Sequence, residues 1–226
     1  MITLGIIGVV AAMTLPTLIH NYQKKVTVNR LKKAYTVMSQ AIKLSETQNG
    51  EYETWEPYED STEFVNKYYK PYIKSVKICD SAYDCGLKHH TGGNCGKNGN
   101  CSPWACNDKN KNVTCVGKFN YKSQSVIVLS DGIFVKISTR NENNNNVLPM
   151  SQRNIHVDIN GASGPNIYGK DYFIFSVQNG NLLPFTYRYT TESQIMNDCS
   201  KNGSYKFTCS YKIMQDGWEI ADDYPW

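Results

Sequence analysis

Charged side chains are absent from the first nineteen residues of this 226-residue chain, and catalytic motifs are scarce throughout. The four histidines show no H-E-x-x-H or other paired spacing, which excludes a metalloprotease of that type. Gly161 and Gly164 are followed by no G-K-[ST] sequence, which excludes a P-loop. A net charge of +4 from 24 basic and 20 acidic residues is mild. The basic residues cluster only between Lys24 and Lys33, which a solvated helix face explains equally well, and there is no nucleic-acid footprint beyond that cluster. We predict that the chain is not an enzyme and does not bind nucleic acid.

The uncharged segment is long enough to cross a bilayer. Nineteen helical residues span about 28 Å at roughly 1.5 Å per residue, close to the ~30 Å hydrocarbon core of a membrane. Lys24 and Lys25 follow shortly afterwards. The segment therefore predicts a membrane helix.

The helical pattern continues beyond the uncharged segment as an amphipathic helix. One apolar stripe has spacings of three and four residues, which predicts a helix face that packs on a sheet; its members are Val28, Leu31, Tyr35, Met38 and Ile42. Asn49-Gly50 is a suitable sequence for the C-terminal end of this helix. We predict one helix of about 45 residues, kinked at Pro16. The alternative is a membrane anchor followed by a separate short helix.

Eight cysteines indicate disulfide bonding and hence an oxidising compartment. Six lie within 37 residues, and the last two form a closely spaced pair; they are Cys79, Cys85, Cys95, Cys101, Cys106, Cys115, Cys199 and Cys209. Zinc is the alternative, because His89 and His90 lie within the cluster, but only one of its gaps suits a structural zinc site. Six cysteines allow 15 pairings, so we predict only one bridge individually, Cys199–Cys209.

The remaining pattern predicts a small sheet. Residues 125–129 and 133–137 alternate around an Asp131-Gly132 turn and predict a hairpin. Further strands are predicted at 155–159, at 172–177 and, as a short last strand, at 211–214. A short helix that includes Glu63, Phe64, Val65 and Tyr68 is predicted, with Ser61 as its N-cap. Residues 79–115 lack periodicity and are interpreted as a stapled loop.

Residues 2–25, ITLGIIGVVAAMTLPTLIHNYQKK, resemble the N-terminal helix of type IV pilins and type II secretion pseudopilins. Residues 157–175, VDINGASGPNIYGKDYFIF, are similar to a stretch of bacterial prepilin-like proteins. The resemblance implies an α+β, pilin-like fold in which one long N-terminal helix lies on a small antiparallel sheet. It also implies polymerisation through the apolar half of the helix. The residues expected to pack there are Leu4, Gly5, Ile7, Gly8, Val10, Ala11, Ala12, Leu15 and Pro16.

The chain departs from that family at its beginning. Prepilins have a short basic leader ending in glycine, a cleavage point, a phenylalanine and then a glutamate, and none of these precedes or follows Met1 here. We hypothesise that the reading frame extends upstream of Met1. An in-frame stop codon directly before Met1 would contradict this hypothesis.

The stretch from 158 to 171 offers oxygen ligands among glycines. Asp158, Asn160 and Asp171 suit calcium, and some pseudopilins hold calcium in a loop of this region. The alternative is a structural turn in which the side chains bond their own backbone. No other cofactor is predicted.

Two functions from different classes remain. The first is a filament subunit, with a membrane and filament-core helix at 1–22 and a head at 23–226 that comprises the amphipathic helix at 23–49, the Cys-rich loop at 79–115 and a sheet region at 120–215. Its partners would be copies of itself or related pilins, the assembly machinery and, before assembly, the bacterial inner membrane, with the head outside the cytoplasm. The second is a monomeric, membrane-tethered binding protein whose stapled loop recognises a ligand.

Overall fold

The chain forms an α+β structure in which a long N-terminal helix packs on a six-stranded antiparallel sheet. The computed structural model describes residues 2–80, 84–86, 124–139, 146–164, 166–186, 189–203 and 205–226, with side chains from residue 12 onward. The helices are α1 (Ile2–Asn49), α2 (Ser61–Tyr68), α3 (Glu192–Asp198) and α4 (Cys209–Gln215). The strands are β1 (Ser75–Cys79), β2 (Gln124–Leu129), β3 (Phe134–Ser138), β4 (Asn154–Asp158), β5 (Tyr172–Gln178) and β6 (Asn181–Pro184).

Helix α1 is a single helix of 48 residues that includes Pro16. The alternative with a separate short helix is therefore wrong. The helix ends where the sequence predicts, because Gly50 adopts a φ of +82° and its N–H bonds the carbonyl of Glu46 at 3.1 Å. Glycine is favoured at this position because a left-handed residue carries a steric cost when it has a Cβ.

The predicted stripe of α1 forms the centre of the core. Leu31, Met38 and Ile42 are fully buried, and Tyr35 is half-buried with its hydroxyl donating to the carbonyl of Leu182 at 3.1 Å. Ala34 and Ala41 are buried between the larger stripe residues. The buried residues thus follow the helical period along one face of α1. The prediction that this face packs inward is confirmed.

The sheet is a meander in which each strand pairs with its neighbours in sequence, in the order β1 to β6. The hairpin of β2 and β3 turns at Gly132, whose φ is +81°, as the Asp-Gly pair predicts. Side chains alternate between the two faces. Ile127 and Val135 join the core that contains α1, whereas Val126 and Phe134 join a second, smaller cluster.

Several local predictions are wrong. Residues 211–214 lie in α4, where Ile213 is buried and Lys212 pairs with Asp216 one turn later at 3.1 Å. The N-cap of α2 is Asp60, whose carboxylate accepts the N–H groups of Thr62 and Glu63, and Ser61 is the first helical residue. Strands β1 and β6 and helix α3 have no counterpart in the sequence prediction.

Disulfides close two short loops. The predicted bridge Cys199–Cys209 is confirmed, with 4.9 Å between Cα atoms, and joins the end of α3 to the start of α4. A second bridge joins Cys79 and Cys85, with 5.7 Å between Cα atoms. Every cysteine in the described part of the chain is therefore paired. The remaining members of the cluster lie outside the described residues; they are Cys95, Cys101, Cys106 and Cys115.

Candidate functional site

The first feature of the candidate site is the part of α1 that leaves the head. Residues 12–23 of α1 are all exposed, and burial of the helix begins only at Thr27 and Val28. Several of the exposed residues are large and apolar. Met13 is 73% exposed and Leu18 66%, and Leu15 and Ile19 are each more than half exposed. We call residues 12–22 the apolar arm.

The arm presents an ordered stripe. Leu15, Leu18, Ile19, Tyr22 and Val26 follow spacings of three, one, three and four residues, which places them on one face of α1. The stripe runs from the exposed arm into the head, where Val26 is partly buried. Of the predicted assembly residues, Ala12, Leu15 and Pro16 are exposed in the arm. The others have helical backbone in α1; they are Leu4, Gly5, Ile7, Gly8, Val10 and Ala11.

A groove with basic walls lies where the stripe enters the head. It encloses about 370 Å³ between α1, the loop after β4 and the C-terminal residue; its lining includes Tyr22, Val26, Arg30, Asn160, Lys170 and Trp226. The indole of Trp226 meets the His20 ring edge-on, with 6.2 Å between centroids. The Lys170 ammonium lies 5.7 Å from the centre of the Trp226 ring. We call this cavity the basic groove.

A second groove lies on the other side of α1. It encloses about 460 Å³, and its lining includes Asn21, Lys24, Lys25, Trp218, Glu219 and Asp222. The Lys24 ammonium lies 3.8 Å from the Asp222 carboxylate, whose side chain is fully exposed. Glu219 is also exposed. We call this cavity the second groove; the two lysines and two carboxylates on its wall balance each other in charge.

The loop between β4 and β5 forms part of the basic groove and is held by two buried carboxylates. Asp158 accepts the N–H groups of Asn160 and Gly161 at 3.2 and 2.9 Å. Asp171 accepts the N–H groups of Asn166 and Ile167 and the side-chain amide of Asn160. The loop therefore has the geometry of the structural turn, in which Asx side chains bond nearby backbone.

Calcium binding by this loop stays a prediction. Among the described residues no group of three or more acidic, histidine or cysteine side chains is placed to hold a metal ion. Asn160 and Asp171 are in contact, while Asp158 bonds a separate part of the turn. Titration calorimetry of the full chain with CaCl₂ checks the prediction, with Asp171→Asn as the control. Binding heat that disappears in the variant would support calcium, and no heat with the unmodified chain would contradict it.

Gly161 lies so close to a neighbouring backbone carbonyl that we expect no residue with a side chain to fit there. Its φ is +62°, and a Cβ there would lie 2.1 Å from the carbonyl oxygen of Gly132. Gly161→Ala is expected to destabilise the fold by about 2–3 kcal/mol, through the left-handed backbone and the clash. Gly164→Ala is the matched control, since a Cβ at Gly164 would meet nothing within 4 Å. Urea unfolding measures both, and equal midpoints would contradict the prediction.

Asp171 is expected to make stability depend on pH. Burial raises the pKa of its carboxyl group to about 6, although hydrogen bonds from Ile167 and Asn166 act in the opposite direction. The unfolded value is about 3.9, so the folded state binds this proton more tightly. The contribution to stability is therefore largest below about pH 4 and declines as the pH rises to about 6, by roughly 2–3 kcal/mol. Urea unfolding at pH 4 and 7 should show this decline in the unmodified chain and not in Asp171→Asn; parallel changes would contradict it.

The grooves contain residues that the sequence prediction missed. Lys170, Glu219, Asp222 and Trp226 come from segments far from α1 in sequence, and only the fold brings them beside residues 21–30. The aromatic and acidic composition of the C-terminal segment was the one available signal. No helix within the described residues has the length and apolar character required to cross a membrane.

Comparison with known proteins gives one family match. A family model described as a family of unknown function (DUF6613) matches residues 17–91 and 109–226. Neither the curated proteins nor the solved structures contain a match to the chain.

Proposed function

Because the chain belongs to this family of unknown function, DUF6613, we propose its function from its own residues: it is a structural subunit of a type IV pilus-like filament or a type II secretion pseudopilus. In this proposal the fold is pilin-like and assembly proceeds through α1. The protein acts by packing against other subunits and performs no chemical reaction.

The observation that carries the proposal is the change of environment along one helix. From Val28 onward the apolar face of α1 is buried in the head, whereas in the arm Met13, Leu15, Leu18 and Ile19 are all more than half exposed. Contiguous exposed apolar surface of this kind is typical of an interaction site. A neighbouring helix that packs on the arm would remove this surface from water.

The expected partners are copies of the same chain or related pilins, together with the secretion or pilus assembly machinery. We propose that, before assembly, the uncharged N-terminal residues sit in the bacterial inner membrane as a single pass. The head then lies on the extracytoplasmic side. The bridges Cys79–Cys85 and Cys199–Cys209 support this side, because disulfides persist in oxidising compartments.

Cross-linking of the arm tests the proposal. Leu18→Cys in membranes of expressing cells is treated with a bis-maleimide, and covalent dimers are expected because the arms pack together. Gln40→Cys is the matched control, since Gln40 is exposed on the part of α1 that lies within the head. Electron microscopy of the same cells for filaments that contain the chain is the second readout. A monomeric tethered binding protein would give neither dimers nor filaments, and that result would reject the proposal.

A further inference from the structure

The contact between Trp226 and His20 fixes the height of the Trp226 ring along α1. The two rings meet edge-on, with 6.2 Å between their centroids. His20 directly follows the nineteen uncharged residues at the beginning of the chain. A helix rises by about 1.5 Å per residue, so the Trp226 ring lies level with the first turn beyond the uncharged segment.

This height coincides with the interface of a bilayer that holds the uncharged segment. The hydrocarbon core of a membrane is about 30 Å thick and the headgroup layers bring the total to about 40–45 Å, so each layer is roughly 5–8 Å deep. At about 1.5 Å per residue, residues 20–24 of α1 cross one such layer. Tryptophan is enriched there, because its ring combines a large apolar face with one N–H donor. When the uncharged segment lies in the membrane, Trp226 therefore reaches the headgroup layer.

Lys170 lies beside Trp226 at the same rim of the basic groove. Lys170 is exposed, and its ammonium is 5.7 Å from the centre of the Trp226 ring. The fold holds the two residues together, because the hydroxyl of buried Tyr224 donates to the carbonyl of Gly169, the residue before Lys170. The backbone N–H of Trp226 in turn donates to the carbonyl of Tyr224 at 2.8 Å. The ring and the ammonium are therefore positioned as a pair before any partner binds.

We propose that Trp226 and Lys170 contact the lipid headgroup layer, with the ring at the boundary of the acyl chains and the ammonium at the lipid phosphates. This inference rests on the proposed function and names the partner of the basic groove before assembly. The apolar stripe of the arm enters the groove at Tyr22 and Val26, so the contact continues the surface that the membrane helix presents to lipid. The pair of residues thereby determines how far the arm enters the bilayer.

Depth-dependent quenching of tryptophan fluorescence tests the contact. The full chain is reconstituted in phosphatidylglycerol vesicles whose acyl chains are brominated either near the headgroup or near the methyl end. Bromine near the headgroup should quench the emission more strongly, and Trp226→Phe should remove most of this difference. Trp218→Phe is the matched control and should retain the difference, because the Trp218 ring contacts Tyr35, with 5.2 Å between centroids, roughly 22 Å further along α1 than His20. Equal losses in the two variants, or equal quenching in the two kinds of vesicle, would overturn the inference.

Lipid charge tests the part played by Lys170. In phosphatidylglycerol vesicles K170E is expected to lower the quenching of Trp226 several-fold, because the anionic surface that attracts an ammonium repels a carboxylate. In phosphatidylcholine vesicles, which carry no net charge, K170E should have little effect. K74E is the matched control and should match the unmodified chain in both lipids, since Lys74 is exposed and its neighbour Tyr72 contacts Asn49 at the far end of α1. An equal loss for K170E in both lipids would reject the contact of Lys170 with lipid.

A probe on the arm separates the inference from the proposed function. Leu18→Cys is labelled with a fluorophore whose emission shifts to the blue in an apolar environment, and the same vesicles are used. If the probe shifts to the blue but Trp226→Phe leaves the quenching unchanged, the headgroup contact is wrong and the membrane helix stands. If the probe reports water, the membrane step of the proposed function is wrong and the headgroup contact is rejected with it.

Discussion

Leu18→Asp is expected to abolish assembly while leaving the head folded. Leu18 is 66% exposed in the arm and lies between Leu15 and Tyr22 on the apolar stripe. An aspartate at the centre of a membrane helix costs about 3 kcal/mol, and an unpaired carboxylate buried against apolar neighbours is likewise unfavourable. In the proposed filament each subunit turns the stripe toward its neighbours, so the cost recurs with every subunit added.

The measurement combines filament counts by electron microscopy with thermal unfolding of the purified chain in detergent. Filaments and cross-linked dimers should be lost, and the melting temperature should be unchanged. Gln40→Asp is the matched control, since Gln40 is exposed on the same helix within the head. Normal filaments from Leu18→Asp would show that the arm is not the assembly surface.

Trp55→Ala is expected to produce the largest loss of stability in the head. Trp55 is 2% exposed and stacks on Tyr68, with 4.4 Å between ring centroids and 3° between planes. Its indole N–H donates to the carbonyl of Gly50 at 2.8 Å. This hydrogen bond joins the stacked pair of Trp55 and Tyr68 to the end of α1. Removing such a buried ring typically costs about 3–5 kcal/mol, so the melting temperature should fall by roughly 10 °C.

Two variants make the Trp55 result interpretable. Trp55→Phe keeps an aromatic ring and removes the N–H, so we expect about a third of the loss. Tyr22→Ala removes a ring that is 67% exposed in the arm and should leave the melting temperature of the detergent-solubilised chain unchanged. Equal melting temperatures for Trp55→Ala and the unmodified chain would contradict the prediction.

The features predicted correctly are those that a short stretch of sequence specifies by itself. The stripe from Val28 to Ile42 has a period that only a helix can place on one face, and Asp131-Gly132 specifies a tight turn. The bridge Cys199–Cys209 follows from the isolation of that pair from the other cysteines. In each case the decisive interaction lies within about fifteen residues of chain.

The features that were missed depend on tertiary contacts. Helix α4 has only seven residues, too few to be stable alone, and it is held by the disulfide at Cys209 and by the burial of Ile213. Strand β1 has only five residues, SVKIC, too short an alternation to indicate a strand by itself, and its pairing with β2 is a tertiary contact. The basic groove combines residues as distant as Tyr22, Lys170 and Trp226, and no local pattern indicates such a combination.

The continuity of α1 also determines how the subunit responds to tension. A pull on the arm is transmitted along the helix axis into the head, where Leu31, Met38 and Ile42 are fully buried in the core. The load acts in shear, so the whole buried stripe must slide at once, and the helix cannot detach residue by residue. The buried stripe therefore resists a pull along the axis of α1, the direction in which a filament built on this helix would be stretched.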